Sequence, residues 1–157
     1  MRIINRFLVL WAAFVGVAVG TGVWVKLKVR PEDDPTAPRF ALVTVFDGTD
    51  FRPTTRELVS STAITMFGGC RLDLRRARTS GAETVRLDLT TVMGGCDVTV
   101  PDTWRVTVSG LAVAGGHDVR VANPDELAAD APSLAIHART LMGGLSVRAR
   151  PVIQSAD

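Results

Sequence analysis

Residues 93–100 read MGGCDVTV, and three other stretches repeat the phrase: MFGGCRLDLR at 66–75, AGGHDVRV at 114–121 and MGGLSVRA at 142–149. A weaker copy, FDGTDFRP, begins at Phe46. The first glycine of each full copy stands at 68, 94, 115 and 143, in steps of 26, 21 and 28, and Gly48 precedes its counterpart Gly69 by 21. A common phrase at unequal steps is what solenoid turns with loops of variable length produce. The surplus residues have loop chemistry: Thr79-Ser80-Gly81-Ala82 in the first long step, and Asn123 to Ser133, with Pro124 and Pro132, in the last.

After each glycine pair the apolar positions alternate. Cys70, Leu72 and Leu74 alternate with Arg71, Asp73 and Arg75; Cys96, Val98 and Val100 alternate with Asp97 and Thr99. His117, Val119 and Val121 follow the same rule, as do Leu145, Val147 and Ala149. Val85, Leu87 and Leu89 extend it upstream, with Val106 and Val108. Period two over such lengths predicts half-buried strands. Only short stretches near 54–59 and 124–130 could hold a helical turn. The fold expected is all-β, a short parallel β-helix or solenoid of stacked turns, with a sandwich as the competing architecture. In the β-helix each Gly-Gly is a corner, where glycine takes a conformation costly for other residues. Like-numbered side chains then pile up, so Leu72, Val98, Val119 and Val147 form one column, each turn stacking on the next in chain order.

The chain has 157 residues, 46% hydrophobic and 22% charged, which excludes a disordered protein. Phe7 to Val25, FLVLWAAFVGVAVGTGVWV, carries no charge. As a helix it spans roughly 28 Å, close to a hydrocarbon core of about 30 Å. Arg2 and Arg6 flank one end, and Lys26, Lys28 and Arg30 the other. The expected organisation is a short tail at 1–6, one N-terminal transmembrane helix at 7–25, a proline-rich acidic linker at 26–40 and a β-helix domain at 41–157. A cleaved signal peptide ending at Ala18-Val19-Gly20 is the alternative. Gly16 and Gly20 have the spacing that lets membrane helices approach closely, although glycine is common in such helices anyway. The domain is expected outside the cytoplasm, in a single-pass protein of the cell membrane.

The net charge is +2, but residues 1–30 hold five basic groups and no acid, so the rest carries 13 basic against 16 acidic groups. A net −3 domain gains little from counterion release, so no nucleic-acid partner is expected. There is no G-x-S-x-G elbow, no phosphate loop and no H-E-x-x-H, and no enzyme is predicted. A wall-polymer hydrolase remains the weakest of the functional readings.

Cys70 and Cys96 occupy equivalent places in adjacent copies. Stacked strands lie about 4.8 Å apart, against a preferred Cβ separation of about 3.8 Å in a disulfide. A strained disulfide and two buried thiols are both open. With His117 next in the column, Cys70 and Cys96 offer three donors to zinc, but the spacing matches no zinc motif and a straight column suits a tetrahedron poorly. A packed histidine is the plainer expectation, and no metal or cofactor is predicted. His137 falls on the outward parity and is expected to be solvated. Arg71, Arg75, Arg76 and Arg78 form a basic cluster that can meet anionic lipid or acidic polymer, or else a solvated face neutralised by Asp73, Asp88 and Asp97. Trp104, after the Pro101 corner, is either a cap on the apolar stack or an exposed aromatic contact.

FGG followed by a strand ending LDLRRA (Phe67 to Ala77), and GGCDVTVPDTWRV (Gly94 to Val106) with its phrase at Val100, Pro101, Trp104 and Val106, resemble the C-terminal domain of the LiaF-like, cell wall-active antibiotics response proteins. The resemblance covers about residues 60–150. It implies a β-helix or related stack in a non-enzymatic bacterial envelope protein that senses wall stress and restrains a membrane histidine kinase. The expected function is therefore a membrane-anchored accessory protein that presents a rigid β surface to a partner such as that kinase. An adhesin-like module that self-associates end to end is the structural alternative.

Overall fold

The computed structural model describes residues 34–80 and 83–153, all within one compact unit, Pro31–Asp157. The apolar stretch at 7–25, expected to be a transmembrane helix, lies outside the described residues. Among those described, no helix is long and apolar enough to cross a membrane. The chain is all-β. Its ten strands are β1 (Arg39–Val45), β2 (Gly48–Phe51), β3 (Ser60–Met66), β4 (Gly69–Asp73), β5 (Val85–Val92), β6 (Gly94–Pro101), β7 (Arg105–Ala112), β8 (Gly115–Arg120), β9 (Ser133–Thr140) and β10 (Gly143–Arg150). One 3-10 turn, Pro124–Glu126, sits in the stretch where a helical turn was expected. β1 opens at Arg39 with Phe40 only 3% exposed, slightly before the predicted linker boundary, because Pro38 accepts a hydrogen bond from Val59 that fixes the entering chain.

Odd-numbered strands build one sheet in the order β1-β3-β5-β9-β7, and even-numbered strands a second in the order β2-β4-β6-β10-β8. Every neighbouring pair is parallel. Each odd strand turns the corner into the next even strand, so the described residues form a stack of five two-stranded rungs. Register is set by the repeat: Leu72 lies beside Val98, Val98 beside Val147, and Val147 beside Val119. The predicted column exists, but its order is not the chain order. From β6 the chain crosses to the far end through residues 102–104 and lays down β7–β8. It then returns through 121–132 and inserts β9–β10 between that end rung and β5–β6.

Side-chain chemistry explains the exchange. Leu134, Ile136, Ala138, Leu145 and Val147 of the inserted rung are at most 2% exposed. The end rung carries Gly110 and His117 opposite Ala138 and Leu145, and leaves Val119 40% exposed. The apolar rung gains most from being covered on both sides, and the more polar one tolerates an edge. Inside the corner, Thr44, Thr65, Thr91 and Thr140 are all buried and stacked in register through the same rungs. Thr44 Oγ1 and Thr49 Oγ1 lie 2.6 Å apart, which satisfies both hydroxyls at the first rung.

The corners work differently from the sequence expectation. The left-handed residue is the one before the glycine pair or its equivalent: Phe46, Phe67, Met93 and Ala114 have φ of 58°, 53°, 53° and 54°. Close approach is what demands the first glycine. A Cβ on Gly68 would stand 2.0 Å from the Asp47 carbonyl oxygen, and one on Gly94 2.0 Å from that of Gly68. On Gly143 it would stand 1.7 Å from the Gly94 oxygen, and on Gly115 1.8 Å from that of Gly143. Asp47 opens the series and carries a side chain, since no rung lies beyond it among the described residues. The second glycine is not needed for room: nothing lies within 4 Å of a Cβ built on Gly48, Gly69 or Gly116.

Candidate functional site

Two surfaces flank the corner. On the outer face of the first sheet, the row nearest the corner runs Val45, Met66, Val92, Leu141, Val113 across the five rungs. The corner itself adds Phe46, Phe67, Met93, Met142 and Ala114. All ten are apolar. Met66 is buried, whereas Phe46 is 56%, Val113 47%, Leu141 46% and Met142 39% exposed. The Phe46 and Phe67 rings stack with centroids 5.0 Å apart and planes 12° from parallel. A left-handed conformation costs a non-glycine residue about 1–2 kcal/mol. Glycine would remove that cost, yet three of the four left-handed places hold Phe or Met. At the β7–β8 end, Leu111 of β7 is 66% exposed and lies beside strand edges that no other strand covers among the described residues.

The outer face of the second sheet is charged. Asp50, Arg71, Asp97, Ser146 and Asp118 make one row across the rungs. Asp73, Thr99, Arg148 and Arg120 make the next. Arg52 is paired with Asp50 at 2.9 Å, Arg75 with Asp73 at 2.7 Å and Arg120 with Asp118 at 3.2 Å. Asp73 also accepts from the Arg75 backbone N–H, and these bonds, chiefly the one from the guanidinium, hold its carboxyl below the usual range. A cleft of about 340 Å³ opens on this face over Val98 and Thr99.

The four arginines singled out in the sequence divide between two places. Arg71 and Arg75 line the cleft just described. Arg75, Arg76 and Arg78 line a second groove of about 250 Å³, together with Trp104 and Pro101. Trp104 is only 5% exposed and belongs to the core, which corrects its reading as an exposed aromatic contact. The short link after Pro101 turns its ring inward, and its backbone N–H bonds the Pro101 carbonyl at 3.2 Å. The acids of the expected solvated face act along one strand, Asp73 on Arg75, rather than across turns.

Cys70 and Cys96 are direct register partners, each 3% exposed, and both are free thiols. The hydrogen bond shared with Cys70, together with burial, pushes the Cys96 thiol up. His117 is not beside them: Leu145 stands between Cys96 and His117 in the column, because β10 intervenes. The weak three-ligand zinc reading is thereby corrected, and no group of three donors able to hold a metal occurs among the described residues. His117 Nε2 instead reaches the Thr140 hydroxyl at 3.5 Å.

One grouping escaped the sequence reading. Asp88, His137 and Ser109 lie side by side on the outer face of the first sheet, and Ser109 Oγ is 2.8 Å from His137 Nδ1. A serine triad needs a carboxylate bonded to the other ring nitrogen and a recess for the substrate. Asp88 makes no such bond here, and neither the cleft nor the groove includes these residues. The row was invisible because it depends on β9 lying next to β7 and β5. The ridge, in contrast, was on view: the residues just before each glycine pair or its equivalent, Phe46, Phe67, Met93 and Met142, are its members. No family model matches the chain, and neither a similar curated protein nor a similar solved structure is found.

Proposed function

We propose that this protein is a membrane-anchored, non-enzymatic interaction module of the bacterial cell envelope, with its β domain outside the cytoplasm and its work the presentation of a rigid surface to a protein partner. The observation that carries the reading is the apolar ridge along the corner. Bulky side chains are kept there in a backbone conformation that disfavours them, and residues held against such a cost mark a functional demand. Exposed, contiguous apolar surface of this kind marks contact sites. The apolar stretch at 7–25 supports anchoring. The resemblance at residues 60–150 to the LiaF-like wall-stress proteins supports a membrane histidine kinase as the partner. The open β7–β8 rung, with Leu111 exposed, favours a second reading, in which copies assemble end to end as an adhesin-like structural module.

A photo-crosslinking residue at Met93, in the full chain and in intact cells, tests both. An adduct with a sensor kinase, absent when the same probe replaces Asp88 on the open sheet face, is the expected result. A ladder of self-adducts supports the assembly reading. Equal adducts from both positions, or none from Met93, overturn the ridge as the contact.

A further inference from the structure

We propose that the cleft on the outer face of the second sheet is a binding site for a phosphoryl group, cradled by Arg71, Arg148 and Arg150 over a floor of Thr99 and Ser146. This stands apart from the ridge and does not depend on membrane anchoring or on a kinase.

Charge is the first support. Five arginines line the cleft: Arg52, Arg71, Arg75, Arg148 and Arg150. Two aspartates, Asp73 and Asp97, oppose them, so three positive charges are in excess. Residues 31–157 as a whole carry three more acids than bases, so this excess is a local concentration against the sign of the domain. Asp73 is already engaged by Arg75, and Arg52 by Asp50. The guanidinium groups of Arg71, Arg148 and Arg150 make no hydrogen bond or close ion pair among the described residues, although Arg71 is near enough to Asp50 to favour its carboxylate, and all three line one recess.

Geometry is the second. Thr99 is flanked by Asp73 on β4 and Arg148 on β10. Arg71 and Arg150 lie diagonally on either side of it, each one strand over and two residues along. With strands about 4.8 Å apart and about 3.3 Å per residue, both diagonals are roughly 8 Å between Cα atoms. Guanidinium groups from those positions converge above Thr99, and the planar fork matches tetrahedral phosphate oxygens in pairs. Asp97 stands between Arg71 and Ser146 in the row towards the corner; an anion seated over Thr99 and Arg148 that reaches Ser146 therefore lies beside that carboxylate, and the excess of arginines must outweigh it.

The third support is Ser146. Its hydroxyl oxygen is buried, lies on the lining of the cleft and has no hydrogen-bond partner. A buried hydroxyl without a partner costs free energy. A bound phosphate oxygen gives it an acceptor.

The test uses the full chain held in phosphatidylcholine nanodiscs and titrated by calorimetry with two probes, inorganic pyrophosphate and soluble dihexanoyl phosphatidylglycerol. Saturable binding of either is expected, weakened at least tenfold in the Arg71→Ala/Arg148→Ala double variant and about threefold in Ser146→Ala. Arg120→Ala, whose partner is Asp118, is expected to bind as the parent does. Pyrophosphate alone binding assigns a soluble phosphate ester, and the lipid alone binding assigns a headgroup; each supports the site. The arginines are on the surface, so their variants are expected to melt with the parent; Ser146→Ala removes a buried hydroxyl without a partner and is expected to melt no lower, so its result stands even where the double variant does not fold. Failure of both probes to bind below millimolar concentration overturns the proposal. So does an equal loss in Arg120→Ala, which would reduce the effect to diffuse charge.

Discussion

Replacing Gly94 by alanine isolates the closest approach between rungs. The new methyl carbon would stand 2.0 Å from the Gly68 carbonyl oxygen, about 1.4 Å short of ordinary contact at 3.4 Å or more. The obstacle is backbone, so no side chain can swing aside. The rungs must separate locally, and two hydrogen bonds stand in the way: Gly95 N–H to Gly68 at 3.2 Å and Gly94 N–H to Met142 at 3.0 Å. Losing both costs about 1 kcal/mol each, and the overpacking adds about 1–3 kcal/mol. The expected loss is about 3–5 kcal/mol, which lowers the melting temperature by at least about 10 °C in a domain of this size. Gly95→Ala is the internal control. Its nearest neighbour would lie 3.8 Å away, so its stability should stay within about 1 kcal/mol of the parent, on the stabilising side. Thermal unfolding of the full chain by far-ultraviolet circular dichroism reads both. If Gly94→Ala melts alongside Gly95→Ala, close packing of the corner is not why the first glycine is there.

Ser61 is 5% exposed between Phe40 and Leu87, and its hydroxyl has no partner; Ser61→Ala should leave the urea midpoint unchanged or raised, and a loss above about 1 kcal/mol would show an unrecognised bond. An impermeant maleimide should label neither Cys70 nor Cys96 in the folded chain and both in urea without reductant; failure to label in urea would reveal a disulfide. Asp73, with its pKa held down by Arg75, contributes stability that is complete above the ordinary carboxylate range and is lost as pH falls through its lowered value. Asp73→Asn should therefore cost about 1–2 kcal/mol at pH 6 and much less at pH 2, and a difference that does not shrink in acid would assign the loss to something other than the charge.

How far the sequence reached can be judged from two sets of residues. Leu72, Val98, Val119 and Val147 were placed in one column because parity and a repeated phrase are local properties. That Val147 lies between Val98 and Val119 was not legible, since order in the stack is decided by which rung gains most from being covered on both sides. Every misplaced contact follows from that one exchange, including the separation of His117 from the cysteines and the meeting of Asp88, His137 and Ser109. The arginine cleft was half visible: Arg71 and Arg75 were singled out, whereas Arg148 and Arg150 became their neighbours only once β10 was known to lie against β6. Trp104 was ambiguous because a short link after a proline can turn a ring either way, and here it turns inward.

Synthesis and stacking run in different orders. A ribosome finishes the terminal layer of this molecule before it has made the layer that will hold it in place. Until residue 150 has emerged, β7–β8 has no native strand to rest on, and β6 presents a bare margin to the solvent. The segment translated after them, β9–β10, must enter a slot already bounded on both sides by the same chain, like a book pushed into a shelf. A premature stop between residues 121 and 132 therefore does not shorten the column by one layer. It leaves three layers and a stray fourth with nothing to rest on, and the architecture depends on β9–β10 being delivered.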